Sequence, residues 1–120
     1  MNIINKEVIE DFQKLNDNTL DELINHFLQT TPPKLKKMVE AYYLKDYPTV
    51  RKEAHLVRMS SLTLGAEKLT ELTNDIEFTT LTEDSLDEFM HEKVVQAYKH
   101  FETLKQELEK ISHPNSPLQT

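Results

Sequence analysis

Residues 54–66 read AHLVRMSSLTLGA and contain the only glycine of the chain. Gly65 is a natural stop for a helix, because the residue after the last turn usually adopts a positive φ that glycine tolerates best. Upstream, Asp46 can cap a helix start, and Pro48 fits the first turn, where its missing N–H costs nothing. The sequence therefore predicts one helix over about 46–64.

The helical repeat of about 100° per residue divides this helix into two faces. The apolar stripe, which should be buried, consists of Val50, Ala54, Val57, Ser61 and Leu64. His55 lies about 140° from the centre of that stripe, so its imidazole is predicted to face solvent. The other residues on its face are Arg51, Arg58, Met59 and Leu62, with Lys52 at the edge.

The neighbours of His55 distinguish it from an isolated surface histidine. Arg51 and Arg58 lie one helical turn away on either side of it. Met59 and Leu62 share its face, as expected for a docking surface. Three mediocre helix formers crowded into one turn also indicate close approach by another helix. These are Ser60, Ser61 and Thr63.

The composition indicates a single helical domain. With 120 residues, of which 38% are hydrophobic and 29% charged, the chain is long enough for one sizeable core. Leu, Glu and Lys are abundant and glycine is nearly absent, which favours helices over sheets. We expect one bundle over residues 1–112 and a disordered C-terminal tail over 113–120, which has two prolines and no apolar pattern.

The chain has no cysteine, which excludes disulfides, thiolate zinc sites and cysteine nucleophiles and fits a reducing compartment. No apolar run approaches the roughly 18 residues of a membrane span, and the N-terminus lacks a signal pattern. We therefore expect a cytoplasmic protein without a membrane span.

The net charge of −7 argues against nucleic acid or an anionic lipid surface as the main ligand. Its distribution is uneven. Residues 34–68 contain eight Lys or Arg and four Asp or Glu, a net charge of +4, whereas the remainder carries −11. Chance clustering is one interpretation. We favour a local basic face around His55 for an acidic partner or a phosphoryl group.

Apolar spacing predicts four further helical segments. A short helix covers 4–15. The next opens at Thr19-Leu20-Asp21-Glu22, a capping box in which hydroxyl and carboxylate each satisfy a free N–H. It runs to about residue 45, with a kink or a restart at Pro32-Pro33. A helix over 66–78 follows the central one, and a second capping box at Ser85-Leu86-Asp87-Glu88 opens the last.

The last helix is predicted to turn an apolar face inward. The members of that face are Val94, Ala97, Tyr98, Phe101, Leu104, Leu108 and Ile111. The predicted fold is all-α. Because short connections make consecutive helices antiparallel neighbours, it is an up-down antiparallel four-helix bundle with a short extra N-terminal helix.

Residues 54–72 contain the pattern A-H-x-x-R-x-S-S-x-x-L-G-A-x-x-L-x-x-L, and Ile76-Glu77 follows it. This pattern resembles the motif of histidine-containing phosphotransfer (HPt) domains. The usual form of that motif is Ala-His-x-Leu-Lys-Gly-Ser-(Ser/Ala)-x-x-Leu-Gly-Ala-x-x-Leu, with a Leu-Glu further on. Residues 27–35 are similar to the family's Phe-Leu…(Thr/Ala)-Pro-x-x-Leu, and the resemblance spans residues 5–111.

The resemblance implies a monomeric bundle that carries a phosphoryl group on His55. That group would be exchanged with the aspartate of a response-regulator receiver domain, within a multistep phosphorelay that also involves a hybrid sensor histidine kinase. Such a protein is a relay substrate rather than an enzyme. It has no cofactor of its own, because the receiver supplies Mg²⁺ and the catalytic carboxylates. The candidate phosphoryl- and partner-binding residues are Arg51, Lys52, Arg58, Met59, Ser60 and Leu62.

The chemistry expected of His55 agrees with this role. An exposed neutral imidazole is a good nucleophile near neutral pH, with one ring nitrogen attacking while the other holds the proton. Positive neighbours favour the neutral ring and later balance the phosphoryl charge. Arg58 takes the place of the family's Lys and offers a planar fork instead of a point charge, which suits a positioning role.

Met59 departs from the family pattern, which commonly has glycine at this place. A bulky side chain one turn after His55 could crowd the incoming receiver or change the choice of partner, although Met is adaptable. The alternative interpretation is a pseudo-HPt module that binds receivers or kinases without carrying phosphate.

Two rivals belong to other classes. Glu88-x-x-His91 has the spacing of di-iron carboxylate bundles, but those need a second copy of the motif, which the sequence lacks. We interpret Glu88 and His91 as part of a solvated first turn, and His26 and His100 as hydrogen-bonded edge residues. The methionines other than Met59 are interpreted as core filler rather than haem ligands. The second rival is a non-signalling interaction bundle, which would not need His55.

Overall fold

The computed structural model of the protein describes residues 2–79 and 84–112, apart from the side chains of residues 84–86. The helices of this part are α1 Lys6–Gln13, α2 Thr19–Tyr43, α3 Tyr47–Leu64, α4 Glu67–Phe78 and α5 Asp84–Ser112. Consecutive long helices pack against one another, and α2 also packs against α5, which closes a ring of four. The short α1 lies against α2. The predicted four-helix bundle with an extra N-terminal helix is confirmed. The predicted tail at 113–120 lies outside the described residues.

The ends of α3 are those that the sequence predicts. Asp46 caps the start, where its Oδ1 accepts from the Thr49 N–H at 3.3 Å and its Oδ2 from the Thr49 hydroxyl at 2.6 Å. Gly65 ends the helix with a φ of 73°. The Ala66 N–H then donates to the Ser61 carbonyl at 2.9 Å, which satisfies one of the last carbonyls of the helix. These two contacts set the bounds of α3, and the apolar stripe between them determines which face is buried.

The core is formed by the apolar stripes of the four long helices. On α3 the predicted stripe is buried in full. On α5 the predicted face is buried except at two positions, where Ile111 is half-buried and Tyr98 is exposed. The assignment of Tyr98 to the core was wrong. It lies at the flank of the stripe, where an aromatic residue with a hydroxyl group can keep that group in water.

Helix α2 runs through Pro32 and Pro33 without a restart. Thr31 and Leu35 on either side are almost fully buried, so packing holds the helix together where two backbone N–H donors are missing. The predicted capping box at Thr19 was wrong, because the Thr19 N–H donates to Asp17 Oδ1 at 2.9 Å and Thr19 is the first helical residue. The capping box at Ser85 involves a side chain outside the described part.

No helix in the described ranges has both the length and the apolar composition needed to cross a bilayer.

Candidate functional site

His55 lies in the middle of α3 on the side away from the core. Its side chain is 48% exposed, whereas the adjacent stripe residues Ala54 and Val57 are completely buried. The helix therefore has the orientation that the helical repeat predicts. The imidazole stands on a surface formed by α3 and the end of α4.

Glu77, in the last turn of α4, lies beside both His55 and Arg58. Its Oε2 is 2.9 Å from His55 Nδ1, and its Oε1 accepts a hydrogen bond from Arg58 Nε at 2.8 Å. The side chains of Glu77 and Arg58 are only 15% and 19% exposed. One carboxylate thus joins an imidazole and a guanidinium across two helices, and we call these three residues the His55–Arg58–Glu77 cluster.

The cluster determines the tautomer of His55. Partial burial raises the pKa of Glu77, but hydrogen bonds from Arg58 and His55 outweigh that effect and hold the pKa below its usual value. The ionised carboxylate can only accept, so Nδ1 must carry the proton at a separation of 2.9 Å. Arg58 Nη2, at 3.3 Å from the same nitrogen, is then a neighbouring charge and not its donor. The lone pair of the neutral ring lies on Nε2, which has no hydrogen bond among the described residues.

Arg58 is held on two sides. Its Nε is engaged by Glu77, and its guanidinium carbon lies 5.5 Å from the centroid of the Phe78 ring, within range of a cation–π interaction. The position of the guanidinium next to His55 is therefore set by α4 as well as by α3. This arrangement gives Arg58 the fixed geometry expected of a positioning residue.

The other two basic candidates differ in what they contact. Arg51 Nη2 donates to the Thr79 carbonyl at 3.3 Å, at the end of α4. Lys52 is exposed and makes no hydrogen bond or ion pair within the described part of the chain. The structure brings Arg51 to the segment that carries Glu77 and not to the imidazole itself.

Exposed apolar side chains lie on α3 near His55 and at the end of α4. They are Leu56, Met59, Leu62 and Phe78, and we call them the apolar rim. Met59 is 46% exposed, one turn after His55. The Ser60 hydroxyl donates to the carbonyl of Leu56 at 3.2 Å, so it is turned back onto its own helix. Several exposed apolar side chains near one site are typical of an interaction surface.

Sequence reasoning missed three members of this site, namely Glu77, Phe78 and Leu56. Glu77 had a signal, because Ile76-Glu77 occupies the place of the Leu-Glu in the motif that the chain resembles. Leu56 also had one, because the helical repeat places this apolar residue about 120° from the buried stripe of α3. Phe78 had none. Phe78 lies at the end of α4, and local periodicity does not predict how α4 is aligned against α3.

The histidines and methionines considered as ligands lie elsewhere. His91 Nε2 is 3.2 Å from the Tyr43 hydroxyl, and His26 is exposed. Burial lowers the pKa of His100, with a further contribution from Lys68, and its Nε2 is buried without a hydrogen-bond partner. Met38 and Met90 are buried in the core. Across the described residues, no three His, Asp or Glu side chains gather as a metal-binding group.

The fold and the site define a four-helix bundle with an exposed imidazole that is hydrogen-bonded to a carboxylate on the next helix. Comparisons of the chain with family models, with curated proteins and with solved structures gave no match. The assignment of function therefore depends on the geometry of the cluster and on the motif around His55.

Proposed function

We propose that the protein is a histidine phosphotransfer protein, in which His55 Nε2 accepts a phosphoryl group from the aspartate of one receiver domain and passes it to another. The observation that carries the proposal is the anchoring of Nδ1 by Glu77 at 2.9 Å in a ring that is 48% exposed. The anchored nitrogen holds the proton, and the opposite nitrogen is available to an incoming partner.

The proposed transfer is a displacement at phosphorus. The Nε2 lone pair attacks the phosphorus of an aspartyl phosphate, the P–O bond to the aspartate breaks, and its electrons stay on the leaving carboxylate. The ring keeps its Nδ1 proton and becomes a positively charged phosphoimidazole, which the Glu77 carboxylate stabilises through a charge-assisted hydrogen bond. Transfer to the next receiver is the reverse of this step. The receiver supplies Mg²⁺ and its own carboxylates.

The surface around His55 supports docking of a partner. The apolar rim offers contact area, and Lys52 and Arg51 add positive charge at one end of it for an acidic partner. The proposed partners are receiver domains and hybrid sensor histidine kinases in the cytoplasm, with the protein acting as a monomer. In this role it is a phosphocarrier and not an enzyme.

One observation favours a second candidate function. Met59 is 46% exposed one turn from the imidazole, where the similar family commonly has glycine. In this interpretation, the Met59 side chain would contact a partner that approaches His55. A pseudo-HPt module would bind receivers through the same apolar rim and carry no phosphate.

The test is phosphoryl transfer from a panel of phosphorylated receiver domains in the presence of Mg²⁺. We expect acid-labile, base-stable phosphate on the wild-type protein and its complete loss in His55→Gln. His26→Gln is the matched control, because His26 is also an exposed helical histidine. Receivers that bind the wild-type protein without labelling it would support the pseudo-HPt function. A labelled His55→Gln protein would contradict the proposed acceptor.

A further inference from the structure

The last turn of α4 is held by side chains from both neighbouring helices. From α3, Arg51 donates to the Thr79 carbonyl at 3.3 Å, while His55 and Arg58 both bond Glu77. From α5, Lys93 Nζ lies 3.4 Å from an oxygen of the Asp75 carboxylate. Four side chains from the neighbouring helices therefore hold the turn that presents Glu77 to the imidazole.

The sequence of α4 explains why this turn needs outside support. The C-terminal end of a helix carries a partial negative charge and carbonyl groups without intrahelical partners. The last turn of α4 has no basic residue of its own, and it contains the carboxylates of Asp75 and Glu77. Both carboxylates are unfavourable at this end. Positive charge must come from another helix, and Arg51 brings it directly to a backbone carbonyl.

The contact of Arg51 is two residues along the chain from Glu77. The Thr79 carbonyl that it binds belongs to the C-cap residue of α4, and the Thr79 hydroxyl donates to the Asp75 carbonyl. A restraint at Thr79 limits fraying of the turn, and fraying would carry the Glu77 carboxylate away from Nδ1. Lys52, the next residue, is exposed and has no such contact within the described ranges.

We propose that Arg51 is a positioning residue, which holds the end of α4 so that Glu77 keeps the proton of His55 on Nδ1 and leaves Nε2 reactive. The consequence of this positioning role for phosphoryl transfer rests on the proposed function. Its effect on the imidazole does not, because the tautomer is a property of the isolated protein. Arg51 is thus assigned to the support of Glu77 and not to direct contact with a phosphoryl group.

The test measures the ¹⁵N resonances of the two His55 ring nitrogens, at a pH above the titration of the ring. In the wild-type protein, we expect Nδ1 in the protonated range and Nε2 in the unprotonated range. Arg51→Met keeps the aliphatic stem and removes the donors. It should raise the population of the other tautomer about two- to fivefold, the effect expected from losing a charge at a helix end. Arg51→Lys keeps a donor and should give intermediate resonances.

The matched control is Lys52→Met, which removes the same charge one residue away and should leave both resonances unchanged. The inference is overturned if Arg51→Met leaves the ring nitrogens as in wild type. It is also overturned if Lys52→Met moves them equally, or if Arg51→Lys is as displaced as Arg51→Met. Far-UV circular dichroism checks that each variant is folded.

Labelling by a phosphorylated receiver, measured in parallel, separates this inference from the proposed function. A protein that no receiver labels, but in which Arg51→Met shifts the tautomer, would remove the relay function and keep the positioning role. If the wild-type protein is labelled but its tautomer does not respond to Arg51→Met, the relay function is supported and the positioning role is overturned.

Discussion

Glu77 Oε2 lies 2.9 Å from His55 Nδ1, although the two residues belong to different helices. The other oxygen of the same carboxylate accepts from Arg58 Nε at 2.8 Å. The carboxylate thereby fixes the orientation of the ring and places a guanidinium beside it. Because an imidazole has only two nitrogens, anchoring one of them selects the other for chemistry. Which ring nitrogen of His55 stays free is therefore decided by a carboxylate at the end of α4.

The first prediction concerns the pH dependence of stability. The pKa of Glu77 is held below its usual value near 4.5, so its ionised form contributes stability that is complete above that value and is lost as the pH falls through the lower, folded value. Glu77→Gln should therefore lower the free energy of unfolding by about 1–2 kcal/mol at neutral pH. The difference in the free energy of unfolding between the variant and the wild-type protein should shrink as the pH falls below the usual carboxyl pKa.

Urea denaturation of both proteins at neutral pH and at acidic pH measures this effect. Glu71→Gln serves as the control, because Glu71 is an exposed residue of the same helix and makes no hydrogen bond or ion pair within the described part of the chain. A difference between Glu77→Gln and wild type that stays constant across the whole pH range would contradict the assigned ion pairs.

The second prediction concerns Gly65, which joins α3 to α4. Its φ is +73°, and a Cβ at this position would lie 2.9 Å from the Cβ of Val8. Gly65→Ala should cost about 1–2 kcal/mol for the backbone conformation, and the clash with Val8 adds to that cost. Adding Val8→Ala to Gly65→Ala should recover only a small part of the loss, because alanine keeps the Cβ at position 8 and removes only the Cγ2 contact at 3.1 Å. It also relieves neither the positive φ nor the approach of the Asn5 Cβ at 3.2 Å. Chemical denaturation of the single and double variants measures the total cost and the part that is due to the Cγ2 contact.

The third prediction concerns Met59. We expect Met59→Gly to leave phosphoryl transfer unchanged or make it faster, because a receiver would meet less bulk beside His55. Glycine inside a helix costs about 1 kcal/mol, so Met59→Ala is the matched variant that removes the thioether at little helical cost. Initial rates of transfer from one phosphorylated receiver are compared. Loss of transfer in both variants would show that Met59 is a contact that the receiver uses.

The fourth prediction concerns the pair formed by Arg58 and Phe78. The guanidinium lies 5.5 Å from the ring centroid, so a double-mutant cycle should give a coupling energy of about 0.5–1 kcal/mol. The variants are Arg58→Met, Phe78→Leu and their combination, and urea unfolding is the measurement. Strictly additive effects would show that the ring does not hold the guanidinium.

The helices and the orientation of His55 could be predicted from the sequence because both depend on local information. Apolar residues at helical spacing defined the stripe of α3. Asp46 and Gly65 set its ends, and the angle of about 100° per residue then placed the imidazole on the opposite side. Each of these inferences uses residues close together in the chain.

The composition of the site could be predicted only in part, because it depends on how α4 lies against α3. Periodicity indicates which face of each helix is buried but not which residues of two helices meet. The contact between Glu77 and Arg58 is a matter of register along the helix pair. For the same reason, Arg51 was predicted to lie beside the imidazole. Its hydrogen bond to the Thr79 carbonyl depends on where the end of α4 lies, which local sequence does not give.

The two consecutive prolines inside α2 have a consequence for how that helix opens. They supply no N–H to the carbonyls of Leu28 and Gln29, so the ladder of backbone bonds is interrupted there although the helix is continuous. The Lys34 ammonium lies 3.4 Å from the Thr30 carbonyl, so it does not replace either of these bonds. In native-state amide exchange, α2 should therefore behave as two separately opening halves, with protection factors that differ across residues 32–33.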